Sequence, residues 1–141
     1  MKKLIILLSV LSISFFSCKK DKAVTTPETT NPSLENAAVI KSGTLSCFSE
    51  TATGSVKIYR KTNGEYVLGL EKMNLDISAS LVVYLSTSAT VSSTAIKIYS
   101  VKNLYGNLFH NLPSNIDFTA FKYLIIQGEL SEEIIGTAEL N

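Results

Sequence analysis

Two alternating runs flanking Thr62-Asn63-Gly64 constrain this chain more than any other feature. Gly54 to Lys61 places Val56 and Ile58 on one face and Lys57, Tyr59 and Lys61 on the other, while Tyr66, Leu68 and Leu70 alternate with Val67, Gly69 and Glu71. A side-chain period of two is that of a half-buried strand. Two such runs around an Asn-Gly pair predict a hairpin, and the length of its turn sets the register. A two-residue Asn63-Gly64 loop puts Tyr59 opposite Leu68 and Ile58 opposite Gly69, which splits the apolar sets. A three-residue loop, with Thr62 and Asn63 in a type I turn and Gly64 left-handed as a bulge, puts Ile58 opposite Leu68, Val56 opposite Leu70 and Lys61 opposite Glu65. The second register is the prediction.

The rest of the domain repeats this grammar. Leu81-Val82-Val83-Tyr84-Leu85 and Tyr123-Leu124-Ile125-Ile126 are short unbroken apolar runs, suited to strands covered on both faces or central in a sheet. Ala95 to Val101 alternates, with Ile96 and Ile98 against Lys97 and Tyr99, and shorter strand candidates lie at Ile40 to Phe48, Asn107 to Leu112 and Ile134 to Leu140. Asn115 to Ala120 suits one short helical turn. No convincing amphipathic helix separates the strands, which argues against a parallel sheet with crossover helices. The expectation is an all-β domain over residues 39–141, an antiparallel β-sandwich or flattened barrel of about eight strands.

The N-terminal segment predicts where the domain is held. Lys2 and Lys3 precede an apolar run from Leu4 to Phe16, then Ser17 and Cys18. The run has the length of a signal core and falls short of the roughly 20 residues that span a bilayer. A small residue before a cysteine is what a lipoprotein signal peptidase requires, and the Cys18 thiol is the nucleophile able to carry a diacylglyceride. Residues 1–17 are therefore expected to be a lipoprotein signal peptide, the alternative being an ordinary secretory signal with a chance cysteine. Acyl chains contribute about 0.8 kcal/mol per buried methylene, so two or three give a stable anchor. Residues 18–38, rich in Lys, Asp, Thr and Pro, read as the lipidated cysteine and a disordered tether. Lys19 follows Cys18, so the aspartate associated with inner-membrane retention is missing, and the expected location is the cell envelope, at the outer membrane of a gram-negative bacterium.

Cleavage would leave eleven basic against twelve acidic residues, with the lysines scattered. That balance offers no footprint for nucleic acid. Lipidation of Cys18 leaves Cys47 as the single thiol and forbids an intrachain disulfide. Cys47 lies in Leu45-Ser46-Cys47-Phe48, where a buried, inert thiol is the default and a redox or intermolecular role the alternative. Catalytic constellations are sparse. The chain has one histidine and no tryptophan, and His110 and Cys47 alone do not make a zinc site. Glu129, Glu132 and Glu133 form the densest acidic group, read as a solvated hairpin loop with a weak calcium site as the alternative. Tyr59 and Tyr99, taken as outward-facing, are the candidates for a ligand-binding platform that stacks against sugar rings. These residues call for no metal and no cofactor, and the expected partners are the membrane, through the N-terminal lipid, and an envelope protein or glycan.

The order of motifs resembles the DM-thirteen domain, a family labelled an electron-transfer domain and found in bacterial lipoproteins. The resemblance covers Lys41 to Leu140. It rests on Ser42-Gly43-Thr44-Leu45, Thr53 to Tyr59, Leu81 to Ser86, Gly106 with Asn111-Leu112-Pro113 and Ile116-Asp117, then Phe121 to Gln127 and Gly136 to Leu140. The resemblance implies a redox cysteine at the end of the Leu124-Ile125-Ile126 strand, but Gln127 stands there and can neither exchange electrons nor form a thiolate. The resemblance therefore implies the fold and not the redox role. The tether and the missing catalytic groups point instead to a non-catalytic binding or interaction module of the envelope, the alternatives being a redox protein that uses Cys47 or a bound cofactor and a glycan-binding module.

Overall fold

The computed structural model describes residues 31–48, 52–75 and 77–141. The expected signal peptide, Cys18 and the first part of the expected tether lie outside the described residues. Those described contain no helix, and so none long and apolar enough to cross a membrane. They form nine strands: β1 (Ala38–Thr44), β2 (Ser46–Cys47), β3 (Thr53–Arg60), β4 (Tyr66–Leu75), β5 (Leu81–Ser86), β6 (Ile96–Val101), β7 (Leu104–Leu112), β8 (Tyr123–Gly128) and β9 (Ile134–Glu139). Two antiparallel sheets result, one ordered β1-β3-β4-β7 and the other β2-β9-β8-β5-β6. This is the expected all-β sandwich. It has one more strand than anticipated because the Ile40 to Phe48 segment is divided between the sheets.

The hairpin that organises the first sheet has the predicted register, with Ile58 opposite Leu68 and Val56 opposite Leu70. Gly64 takes φ 87°, its amide donates to the Lys61 carbonyl at 3.0 Å, and the Lys61 amide donates to the Glu65 carbonyl at 2.8 Å. Asn63 adds an acceptor for the Glu65 amide at 3.0 Å. The two unbroken apolar runs become β5 and β8, central in the five-stranded sheet. Leu81, Val83, Leu85, Leu124 and Ile126 pack inward against Val56, Ile58, Leu68 and Leu70. Val82 and Ile125 point the other way and are still buried, as the lack of polar alternation in both runs implies. The helical turn expected over residues 115–120 is a non-helical turn over 117–121, with the Ala120 and Phe121 amides donating to the Asp117 carbonyl at 3.1 and 3.0 Å, and Phe118 caps one end of the core edge-on against Tyr66, ring centroids 4.9 Å apart.

The two long edges of the sandwich differ. At one, β1 runs into β2 through Leu45, whose amide donates to the Gly54 carbonyl at 3.0 Å, and β2 joins β9 of the other sheet. Ser42 and Asn141 exchange both backbone bonds, at 3.0 and 2.9 Å, which stitches the sheets together. The approach is so close that a Cβ on Gly43 would collide with the Glu139 carbonyl oxygen. At the other edge β6 and β7 are the outermost strands of different sheets, linked by residues 102 and 103.

Candidate functional site

The outer face of the four-stranded sheet follows from the hairpin register. With Val56 and Ile58 inward, the pairs Ser42–Lys57–Gly69–Phe109 and Thr44–Ser55–Glu71 lie in successive outward rows, beside Tyr59 and Val67. Glu71 is the centre of this face. One carboxylate oxygen accepts from Lys57 Nζ at 2.6 Å and the other from the Tyr59 hydroxyl. Tyr59 starts four residues away along β4, opposite Val67, and reaches Glu71 because Gly69 leaves a lane for its ring. A Cβ on Gly69 would stand 2.8 Å from the tyrosine ring and 3.0 Å from Phe109, whose ring meets Tyr59 edge-on at 6.3 Å.

Electrostatics lock the trio. Burial opposes ionisation of Glu71, but the hydrogen bonds from Lys57 and Tyr59 outweigh it and hold the carboxyl below its ordinary range. The bond to Glu71 raises the Lys57 ammonium, and burial together with the same carboxylate raises the Tyr59 phenol. At neutral pH the trio is a carboxylate between two donors, with little net charge and fixed geometry. Such an arrangement presents polar groups beside an aromatic pair.

Toward β1 this face opens into two cavities of about 370 and 440 Å³ that share Thr44 and Ser55 and so form one groove. Lys72 lines the far cavity with Thr53, and Ser42, Lys57 and Glu139 line the near one. Lys72 gets there through an irregularity in the β4–β7 pairing, where Glu71 and Lys72 together oppose Asn107. Lys72 takes φ 52° and its amide donates to Asn107 Oδ1 at 2.8 Å. Bulges of this kind bend a strand and re-aim a side chain.

Tyr99 is not on this face, nor on any outer face, contrary to the expectation of an outward pair. Val83 pairs with Tyr99 and Tyr84 with Lys97, so Ile98 is an extra residue and the alternation of β6 reverses there. Tyr99 turns between the sheets and stacks on His110 of β7 with centroids 4.6 Å apart and an interplanar angle of 16°. Burial raises the Tyr99 phenol and lowers the His110 imidazole. The pair fills the open edge of the sandwich, and the two candidate tyrosines do not form a platform.

Cys47 is half-buried on β2, packed against the core, and its sulfur faces Gly136 across the β2–β9 pair. Burial raises its pKa, which disfavours the thiolate. Gln127 donates from Nε2 to the Glu132 carbonyl at 2.5 Å and closes the β8–β9 hairpin. Glu129 accepts from Ser100 at 3.1 Å and lies 3.7 Å from Lys97 Nζ. Among the described residues no three of His, Cys, Asp and Glu gather as a metal site requires.

Glu71, Lys57, Phe109 and Lys72 were not singled out in the sequence. The hairpin register contained a signal for the first two, since pairing Val56 with Leu70 puts Ser55 opposite Glu71 and Lys57 on the adjacent diagonal. Comparisons of the chain with family models, with curated proteins and with solved structures return no match.

Proposed function

We propose that this protein is a lipid-anchored cell-envelope module, held at the outer membrane through Cys18, whose β-sandwich binds a polar ligand without catalysis. The observation that carries the binding half is Glu71 joined to both Lys57 and Tyr59 on a solvent-facing sheet, beside a groove. A fixed set of donors and acceptors next to aromatic rings is how small polar ligands are oriented. The anchor rests on Lys2, Lys3, the apolar run and Ser17-Cys18. Kinship with the DM-thirteen domain belongs to this proposal on the order of its motif blocks, without a redox role at Gln127.

A saccharide is the ligand class favoured by Tyr59 and Phe109, whose rings offer an apolar edge beside the Lys57–Glu71 pair. The redox alternative has less support, because burial raises the Cys47 pKa and so disfavours the thiolate. The anchor is tested by labelling cells with an alkyne fatty acid, with label on the wild type and none on Cys18→Ser. Binding is tested by passing the full chain in detergent over immobilised envelope glycans. Retention that falls in Glu71→Gln supports the module, and equal retention by both, or none by either, overturns it.

A further inference from the structure

We infer that the groove over the paired strands β1 and β3 is a subsite for an acidic saccharide, with Lys72 as the anchor for its carboxylate; this rests on the binding module proposed above. The groove runs along β3 from Lys57 to Thr53, four residue steps or about 13 Å, room for two or three sugar rings. Its walls carry the hydroxyls of Ser42, Thr44, Thr53 and Ser55, and Leu45 and Gly54 supply an apolar floor at the Lys72 end. Hydroxyls donate and accept equally, and an apolar floor meets the C–H face of a ring, which together suit a saccharide.

Charge gives the groove a direction. Lys57 is neutralised by Glu71, so it contributes donors and little field. Lys72 brings positive charge to one cavity, while Glu139 lines the other and repels a second acid there. The ligand therefore carries its acid at one end. The backbone supports the assignment, because the left-handed region disfavours a residue with a Cβ and Lys72 is held there by Asn107. A peptide bound by strand addition fits less well, since the Ser42 backbone is taken by Asn141 and the Leu45 amide by Gly54.

The test is calorimetric titration of the full chain in detergent with a trisaccharide carrying one terminal glucuronate, and with its methyl ester. Saturable binding of the acid, at least tenfold weaker binding of the ester, and about tenfold loss of acid binding in Lys72→Gln are expected. Lys72→Gln keeps the backbone amide that Asn107 holds, and thermal melting verifies its fold. Thr53→Val offers a second variant, expected to weaken acid and ester alike. Equal binding of acid and ester, or a Lys72→Gln variant that binds as wild type, would overturn the charge anchor and leave the module standing. No binding of either sugar overturns the subsite, while retention on envelope glycans judges the module separately.

Discussion

Tyr59 and Tyr99 stand in strands with similar alternating sequence, and the structure uses them in opposite ways. Tyr59 lies on an outer face, its ring in the lane left by Gly69 and its hydroxyl held by Glu71. Tyr99 lies between the sheets, stacked on His110 at the open edge. Each orientation is decided by the neighbouring strand and not by the tyrosine: a missing side chain at Gly69 in one case, pairing with the inward-facing Val83 in the other, with Ile98 as the extra residue that lets Ile96 face inward as well. Tyr59 is therefore available to a ligand, while Tyr99 belongs to stability.

The largest effect should come from breaking the interior half of this comparison. Tyr99→Ala removes most of a largely buried ring from an edge where no strand pairing joins the sheets, and it should cost about 3 kcal/mol in urea unfolding. Ligand retention by the folded fraction should be unchanged. Breaking the exterior half should reverse the pattern. Gly69→Val pushes its side chain into Tyr59 and Phe109 and should displace the phenol from Glu71. Glycan retention should fall about tenfold, equivalent to about 1.4 kcal/mol. The Tyr59 phenol should titrate closer to its ordinary value by ultraviolet absorbance, with a smaller change in unfolding free energy because a β-branched residue suits a strand. A Gly69→Val protein that keeps the raised phenol would show that the lane is not what positions Tyr59.

Deleting Ile98 sharpens the comparison further. The deletion leaves Lys97 and Tyr99 opposite Tyr84 and Val83 in a regular ladder, so the Tyr99–His110 stack should persist. The loss should be about 1 kcal/mol, for the packing of a half-buried isoleucine. Nuclear Overhauser contacts between the two rings report the outcome, and their disappearance would mean that the extra residue is needed to turn Tyr99 inward.

These residues also mark what could be read before the structure. The hairpin register was legible because turn length, apolar face and the Lys61–Glu65 pair all agree on one alignment. Strands β5 and β8 were legible as central because their apolar runs admit no polar face. The extra residue at Ile98 was not, since a bulge is selected by the partner strand, and Ile96-Lys97-Ile98-Tyr99 alternates as well without one. The candidate site was half legible. Tyr59 was named, but Lys72 in the left-handed region has no sequence mark of its own, because its conformation is held by Asn107 from a strand thirty-five residues on. The division of Ile40 to Phe48 into β1 and β2 depends likewise on the C-terminal segment that approaches Gly43.

The smallest effect separates the two regions by pH. Burial lowers the folded-state pKa of His110, so the unfolded chain takes up the proton more readily than the folded one. Stability from this site is complete above the ordinary histidine value of about 6.5 and is lost as pH falls toward the folded value. Glu71 acts later on the same acid limb. Its folded carboxyl is held below the ordinary range, so its contribution is present above about 4.5 and lost as pH falls through the folded value. Lys57, raised by the same bond, loses its share only as pH rises into the alkaline range. A stability profile from pH 8 to pH 3 should therefore decline in two steps, the interior edge first and the outer face second. His110→Phe keeps a ring for Tyr99 to pack on and should flatten the decline between about pH 6.5 and 4.5 while leaving the lower step, whereas Glu71→Gln should do the reverse. A His110→Phe profile that still falls over the upper interval would place the titrating group elsewhere and remove the pH distinction between the two tyrosine sites.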